Sequence, residues 1–309
     1  MKFGCSDSMR SKKKQIHGVL LLDKPLDISS NAALQKVKWL YQAKKAGHTG
    51  ALDPLATGLL PICFGQATKV SEYLLGSHKK YITVVKLGEV TDTRDAEGRV
   101  IEKHDIIVSD EEIQSALDQF RGEIMQVPPM YSALKKDGQP LYKMARKGEE
   151  IDLPARKMTV FDLQAERLTH DMVRLNVHCS SGFYIRSLAH DFGQALGCGA
   201  HVVELRRTHI KSISVDSAHD LHSLIDLEGQ PESLAGLLLP VDTLIPDMPK
   251  LDISQKQIDS LLCGNPTSAD GLKTEQLTRF YSPEGRLFGL GEVRKNGQIK
   301  TQKIFVDLK

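Results

Sequence analysis

The segment from Gly47 to Val70, GHTGALDPLATGLLPICFGQATKV, restricts the conformations of this chain more than any other. Three glycines, Gly47, Gly50 and Gly58, and two prolines surround a single carboxylate at Asp53. Glycine adopts backbone angles that other residues avoid, whereas proline fixes its own φ and pushes the preceding residue towards an extended conformation. The pattern therefore predicts a stiff, sharply turned loop that holds Asp53 in a fixed position.

Apolar residues follow this loop, and they predict a short buried strand over 58–64 and a helix over 66–75. A carboxylate on a loop that is anchored by a buried strand is a common arrangement in active sites. A lone aspartate before a proline is, however, usually a turn or capping residue. Spacing alone therefore assigns no catalytic role to Asp53.

Local patterns elsewhere indicate mixed α and β structure without the regular alternation of a doubly wound parallel sheet. Hydroxyl residues at Ser29 or Ser30 and at Ser109 are expected to cap helices. Strands are predicted at His17–Pro25, Tyr81–Leu87, Met172–His178, Leu287–Val293 and Ile304–Val306, and helices after Ser30, over Ser109–Phe120, over Tyr184–Leu196 and shortly after Leu251.

Residues 124–157 have no clear periodicity and alternate basic residues with tyrosines. A long segment of this kind in a compact domain is usually functional or disordered, and its composition favours contact with nucleic acid. The formal net charge of the chain is only +2, but residues 1–45 carry +7 and residues 135–157 carry +3. Such local basic surfaces suit a polyanion, although solvated surface lysines have the same composition.

Composition is that of a globular protein with room for one large or two ordinary domains, at 309 residues, 40% hydrophobic and 26% charged. No apolar run of eighteen residues predicts a membrane span, and the N-terminus does not resemble a signal peptide. The five scattered cysteines form no C-x-x-C pair, so neither disulfides nor a metal site is expected. These features predict a cytoplasmic location.

Two segments resemble a known family. GHTGALDPLATGLLP resembles the signature of the bacterial tRNA pseudouridine-55 synthases, the TruB family, and CSSGFYIRSLAHDFGQALGCGAHVVELRR resembles their second signature. The resemblance implies that Asp53 is the catalytic nucleophile and that Arg186 pairs with it. A guanidinium would fix the geometry of the carboxylate and keep it ionised at neutral pH.

The resemblance also implies roles for five further residues around a bound uridine. Tyr81 is expected to stack against the target uracil and to relay a proton in a late step. His48 is expected to contact the RNA where the base has left its stack. Tyr184 and Leu205 are expected to line the uracil pocket. Lys24, in a turn that the family places near the active site, is expected to contact the substrate, and a surface lysine is the alternative. Without the resemblance, Tyr184 and Leu205 would be interpreted as core residues.

The fold implied by the resemblance is α+β, with a mixed, mainly antiparallel central sheet flanked by helices. A small β-rich, PUA-like domain would follow. The predicted boundaries are a basic flexible arm at 1–17, a catalytic domain at 18–248 with an RNA-contacting insertion at about 124–157, and an RNA-binding domain at 249–309.

The implied reaction is isomerisation of the T-loop uridine at tRNA position 55. It requires no cofactor or metal, and the sequence contains no phosphate-binding or dinucleotide-binding motif. The protein is expected to bind the tRNA T-arm as a monomer without a protein partner. The point of attack by Asp53 stays open among the sugar C1′, a glycal route and the base C6.

Two other functions are alternatives to this one. The first is a non-catalytic RNA-binding or tRNA-folding protein that retains the fold, which the presence of Asp53, Tyr81 and Arg186 disfavours as the sole function. The second is a glycoside-type hydrolase, which requires two opposed acids. Only Asp53 is supported as such an acid.

Overall fold

A computed structural model of the protein describes residues 13–132, 134–136, 138–145, 147, 151–269 and 276–305. Most of the predicted arm at 1–17 and parts of the predicted insertion at 124–157 lie outside the described residues. So does Val306, at the end of the last predicted strand.

The described residues form the following strands, numbered in chain order: β1 (Gly18–Lys24), β2 (Ala46–His48), β3 (Ala56–Phe64), β4 (Lys79–Leu87), β5 (Glu89–Thr91), β6 (Val100–Lys103), β7 (Gly122–Gln126), β8 (Lys135–Lys136), β9 (Gln139–Pro140), β10 (Arg156–Arg167), β11 (Met172–Cys179), β12 (Ala200–Ile210), β13 (Ile213–Ser214), β14 (His219–Asp220), β15 (Lys250–Asp252), β16 (Thr267–Ser268), β17 (Thr278–Tyr281), β18 (Leu287–Val293) and β19 (Gln298–Ile304).

The α-helices are α1 (Ser30–Leu40), α2 (Ser71–Leu75), α3 (Asp110–Leu117), α4 (Leu141–Ala145), α5 (Ile185–Ala195), α6 (Leu221–Asp226), α7 (Pro231–Gly236) and α8 (Gln255–Leu262). Short 3-10 turns cover Gly65–Lys69, Asp118–Phe120, Val215–Ser217 and Val241–Leu244. Within the described part of the chain, every helix is too short or too polar to cross a bilayer.

The central sheet has ten strands, with the main order β14-β1-β3-β12-β4-β11-β10-β7, while β2 pairs with β3 and β13 with β12. Among its described pairings, β1 with β14 and β3 with β12 are parallel. The others are antiparallel. The predicted mixed, mainly antiparallel sheet is confirmed.

Strand β1 shows why this sheet is buried on both faces. Leu20 and Leu22 belong to the core that includes α1, α3, α5 and α6, whereas Val19 and Leu21 belong to a second core on the opposite face. Side chains alternate between the two faces of a strand. Because both faces are covered, the strand is hydrophobic at nearly every position.

The C-terminal part of the chain forms a separate five-stranded sheet in the order β15-β17-β18-β19-β16. Phe280 and Phe288 face its own core together with Ile258 of α8. Tyr281 and Leu290 instead join the second core of the central sheet. The predicted β-rich C-terminal domain is confirmed, and it packs directly against the sheet that precedes it.

Two predictions of secondary structure were wrong in detail. The helix expected over 66–75 is a 3-10 turn followed by α2. Thr68 Oγ1 donates to the carbonyl of Gly65 and Ser71 Oγ donates to the carbonyl of Thr68, and such side-chain bonds compete with the helical pattern. The last strand spans Gln298–Ile304 instead of 304–306.

The segment 124–157 is not irregular throughout, because β7 ends at Gln126 and β10 begins at Arg156. Strand β10 was not predicted. Its inward and outward positions do not alternate strictly, and its register with β11 shifts between Val160 and Asp162. A bulge of this kind interrupts the two-residue period by which a strand is recognised in sequence.

Candidate active site

The Asp53 loop joins β2 to β3 and is tied to the start of α1. Ser30 Oγ donates to the carbonyl of Leu52 at 2.9 Å and accepts from the Leu52 amide at 2.7 Å. The amide of Ala56 donates to the Asp53 carbonyl at 3.1 Å. Asp53 is therefore held by backbone contacts on both sides, as the glycines and prolines predict.

Lys24 is hydrogen bonded to this loop. Its side chain is fully buried, and its Nζ donates to the carbonyls of Pro25, Ile28 and Pro54 at 2.8, 2.7 and 3.3 Å. A lysine ammonium has three donors, and in this structure all three are directed to backbone carbonyls. Lys24 therefore supports the loop that carries Asp53, and its contact with the substrate stays a prediction.

Arg186, in the first turn of α5, lies beside Asp53. Its Nη2 is 2.9 Å from Asp53 Oδ2, and its Nη1 is 3.2 Å from Asp95 Oδ2. The same guanidinium donates to the carbonyls of Thr93 and Tyr131. The arginine is buried, whereas 41% of the Asp53 side chain is exposed. Arg186 therefore fixes a carboxylate that remains accessible.

Desolvation raises the pKa of the Asp53 carboxyl above its ordinary value, and this effect outweighs the attraction of Arg186. The charge of Asp95 acts in the same direction as desolvation, and that of Lys24 opposes it. The resemblance implied that Arg186 keeps this carboxylate ionised, and its charge and hydrogen bond do lower the pKa of Asp53. Arg186 thus offsets part of the cost of placing a carboxylate in the cleft.

Asp95 was not predicted as part of the site. It lies in the segment TDTRDAEG, between β5 and β6, and its side chain is buried. Its Oδ1 accepts from Thr93 Oγ1 and from the amide of Glu97. The sequence contains no local signal for this buried ion pair, because Arg186 lies far from Asp95 in the chain.

A cavity of about 370 Å³ opens next to Asp53. Its volume falls within the range of small-ligand pockets. Tyr81 of β4 and Leu205 of β12 lie on its wall, together with Tyr184 at the start of α5. The structure thus brings these three predicted residues together around Asp53 and Arg186.

Arg207 was also missed by the sequence analysis. It is almost completely buried, and it donates through Nε to the carbonyl of Leu59 at 2.8 Å and through Nη2 to that of Gly50 at 3.0 Å. It also lies close enough to Tyr81 for its charge to lower the pKa of the phenol, against the larger effect of burial. Burial raises the pKa of the Tyr81 hydroxyl, so the phenol keeps its proton at neutral pH.

A second opening, of about 600 Å³, lies on another side of Asp53. His48 and Asn31 line it, and Arg186 borders both openings. Burial lowers the pKa of His48, with a further contribution from Arg207. The imidazole is therefore uncharged at neutral pH. Among the described residues, no three His, Cys, Asp or Glu side chains converge as a metal site would require.

Three family descriptions match successive parts of the chain. The N-terminal domain of the TruB family pseudouridylate synthases matches residues 38–185. The C-terminal domain of tRNA pseudouridylate synthase B matches residues 186–246. The C-terminal domain of pseudouridine synthase II TruB matches residues 249–305.

Curated relatives and solved structures match nearly the whole chain. The tRNA pseudouridine synthase B of Stutzerimonas stutzeri is 48% identical, covering 94% of this chain and 96% of the relative. That of Vibrio atlanticus is 44% identical, covering 96% of each. A structure of a Cbf5–Nop10–Gar1 complex matches with 26% identity and a TM-score of 0.70, covering 94% of this chain and 85% of the other.

A second solved structure, an H/ACA RNP bound to a substrate RNA containing 2′-deoxyuridine, matches with 25% identity and a TM-score of 0.71, over the same shares of the two chains. Together, the fold and the relatives define a pseudouridine synthase, an enzyme of the isomerase class. Within that class, the chain belongs to the TruB family.

Proposed function

We propose that the protein converts the uridine at position 55 of the tRNA T-loop to pseudouridine, with Asp53 as the nucleophile. The substrate class follows from the name of the 44–48% identical relatives, tRNA pseudouridine synthase B. The position within the tRNA follows from the resemblance of the Asp53 loop to the pseudouridine-55 signature.

The contact between Asp53 and Arg186 beside an open cavity carries the proposal. A nucleophile must be ionised and accessible, and a neighbouring guanidinium stabilises the charged carboxylate. The side chain of Asp53 is 41% exposed and lies 2.9 Å from Arg186, which supports an accessible carboxylate whose charge is partly stabilised. The cavity beside it gives a detached pyrimidine a place to turn.

The reaction breaks the C1′–N1 bond of uridine and forms a C1′–C5 bond. The proton on C5 is lost and N1 gains one, so no atoms or electrons leave overall. Asp53 can assist by attack on C1′, by removing a sugar proton to give a glycal, or by addition to C6. Each route needs the carboxylate next to a nucleotide that has left the RNA stack.

Tyr81 and His48 line the two openings beside Asp53, so both can contact such a nucleotide. Tyr81 offers the face of its ring and a protonated hydroxyl, which can exchange a proton in the late step on C5. His48, uncharged and half-buried in the second opening, offers a flat ring that can replace stacking lost by the RNA. Asp53 lies where the two openings meet.

The wider RNA contact is proposed from charge and from the predicted segments. The insertion at about 124–157 and the domain at 249–309 would contact the T-arm and neighbouring RNA. We further propose that the protein acts as a monomer and needs no protein partner. Sedimentation of the purified protein with tRNA tests this, because a stable dimer or a requirement for a second protein would contradict it.

Nucleotide mapping of pseudouridine in tRNA incubated with the purified protein tests the function. The wild type should modify position 55. Asp53→Asn should bind tRNA with similar affinity and form no pseudouridine, whereas Asp92→Asn, in the turn between β5 and β6, should retain activity. Near-normal turnover by Asp53→Asn would exclude the nucleophile. Tight binding without product by the wild type would favour an RNA-binding protein that retains the fold.

A further inference from the structure

The exposed face of α1 carries a row of residues that leads away from the catalytic cleft. Asn31, Gln35 and Trp39 are spaced four residues apart, so they lie one above another on the same side of the helix. Gln35 Nε2 approaches Asn31 Oδ1 at 3.4 Å. Asn31 lines the opening beside Asp53 and His48. The row therefore begins at the active site.

Trp39 lies at the other end of this row, about 12 Å along the helix axis from Asn31. It is 60% exposed, although burial of a tryptophan side chain is strongly favourable. Together with Gln35 it lines a groove of about 550 Å³, which the turn at Glu228 and Gly229 also lines. An exposed indole beside a groove presents a flat face on which a nucleic-acid base can stack.

The charges around Trp39 indicate the kind of molecule. Lys13 and Lys38 line the same groove, and Lys36 is exposed on the same helix. These three lysines form no ion pair with any residue in the described ranges. Of the described residues that line the groove, only Glu228 carries a carboxylate. A positive surface next to an aromatic face suits a polyanion with flat bases.

The backbone fixes this arrangement. The amide of Gln42 donates to the carbonyl of Trp39 at 2.9 Å, and the amide of Ala43 donates to that of Lys38 at 3.0 Å. The amide of Lys14 donates to the carbonyl of Gln42 at 2.8 Å. The segment that carries Lys13 is therefore held against the end of α1, so the groove exists before a ligand arrives.

We propose that Trp39, with Lys13, Lys36 and Lys38, forms a second RNA contact of the protein, distinct from the catalytic cleft and reached along α1. Trp39 stacks on a base or ribose of the tRNA outside the target loop, and the lysines neutralise phosphates. This inference rests on the proposed tRNA substrate and adds a place where the same RNA molecule is bound.

Trp39 is the only tryptophan of the chain, so its fluorescence reports on this surface alone. Titration of the wild type with a full-length tRNA transcript should quench the emission and protect the indole from iodide. Emission and iodide access that stay unchanged at saturating tRNA would overturn the proposal. Absorption by the RNA is corrected with free tryptophan at the same tRNA concentrations.

Substitution tests the energetic contribution. Trp39→Ala should raise the Kd for tRNA about fivefold or more, the effect of losing one stacked base, and Trp39→Phe should restore most of the affinity. The loss should appear in Kd and KM and not in kcat. Ile107→Ala, at a position 88% exposed on another surface, is the matched control. An unchanged Kd for Trp39→Ala would refute the contact.

The lysines have a separate signature. Lys38→Gln should reduce the slope of log Kd against log salt by about one, as expected when one phosphate contact is lost. A slope equal to that of the wild type would exclude this lysine from the contact. If the wild type neither binds nor modifies tRNA, the proposed function fails. If the wild type binds and modifies tRNA while the emission and iodide access of Trp39 do not change, only this inference fails.

Discussion

The backbone of Gly58 packs directly against the backbone of Arg207. A Cβ added at Gly58 would lie 2.3 Å from the Arg207 carbonyl oxygen, and the φ of Gly58 is +104°. The two residues are register partners in the parallel pair of β3 and β12. This close approach lets the Arg207 side chain reach the Gly50 carbonyl in the Asp53 loop.

Gly58→Ala should therefore lower the free energy of unfolding by about 3 kcal/mol or more, because the new side chain meets both backbone strain and a clash. Gly47→Ala is the matched control, since its Cβ would meet nothing within 4 Å. Urea denaturation measures both. Equal stability of the two variants would show that the strands can separate at this point without cost.

Arg186→Lys should reduce the rate of pseudouridine formation about 100-fold. A lysine ammonium cannot reach Asp53 and Asp95 together in the planar geometry of a guanidinium, and small misplacements of a reacting group cost about this much. Single-turnover rates at saturating tRNA measure the effect. Arg99→Lys, on an exposed strand-connecting turn, should behave like the wild type. A rate within threefold of normal for Arg186→Lys would mean that charge alone suffices.

Asp95→Asn should move the acidic limb of the rate–pH profile to lower pH. The charge of Asp95 raises the pKa of Asp53, so its removal lets the nucleophile ionise in more acidic solution. The maximal rate should also fall, since Arg186 loses one of its two carboxylate partners. Asp92→Asn should leave the limb where it is. A shift of the limb to higher pH in Asp95→Asn would contradict this electrostatic interpretation.

Lys24 predicts a pH-dependent difference in stability. Burial lowers its pKa from 10.5 to about 8. Between these values the unfolded chain binds a proton that the folded protein has released, so stability rises with pH. Below pH 8 the folded protein carries the full cost of the buried charge. Between pH 8 and 10.5, the free energy of unfolding of the wild type should therefore rise by about 3 kcal/mol relative to that of Lys24→Met.

Denaturant unfolding of the two proteins across that pH range measures the difference, and Lys36→Met provides an exposed control whose difference from the wild type should stay constant. A difference for Lys24→Met that stays constant, or that changes in the opposite direction, would show that the lysine keeps its proton when folded.

The helix starts were predictable because their signals are local. Ser29 was one of the two expected caps of α1, and its Oγ accepts from the amide of Ala32. Ser109 caps α3 through a reciprocal pair of bonds with Glu112. In each case, the hydroxyl and its partner lie within three residues, so the sequence contains the whole interaction.

The site was predictable only through the resemblance. Asp53 lies between β2 and β3 and Arg186 lies in α5, and no local spacing relates them. Asp95 and Arg207 were missed because charged residues are normally exposed, and their burial depends on how distant segments pack. The direction of the Asp53 pKa could not be predicted for the same reason, since desolvation is a property of the assembled cleft and not of any motif.

The C-terminal sheet shares its packing with the central one. Tyr281, Leu287, Leu290 and Phe305 lie in the same core as Val19 and Leu59 of the central sheet. Cutting the chain between the two sheets would expose apolar surface on both pieces. The two sheets should consequently unfold in one calorimetric transition on heating. The C-terminal sheet would then be an integral part of the enzyme and not an independently folding domain.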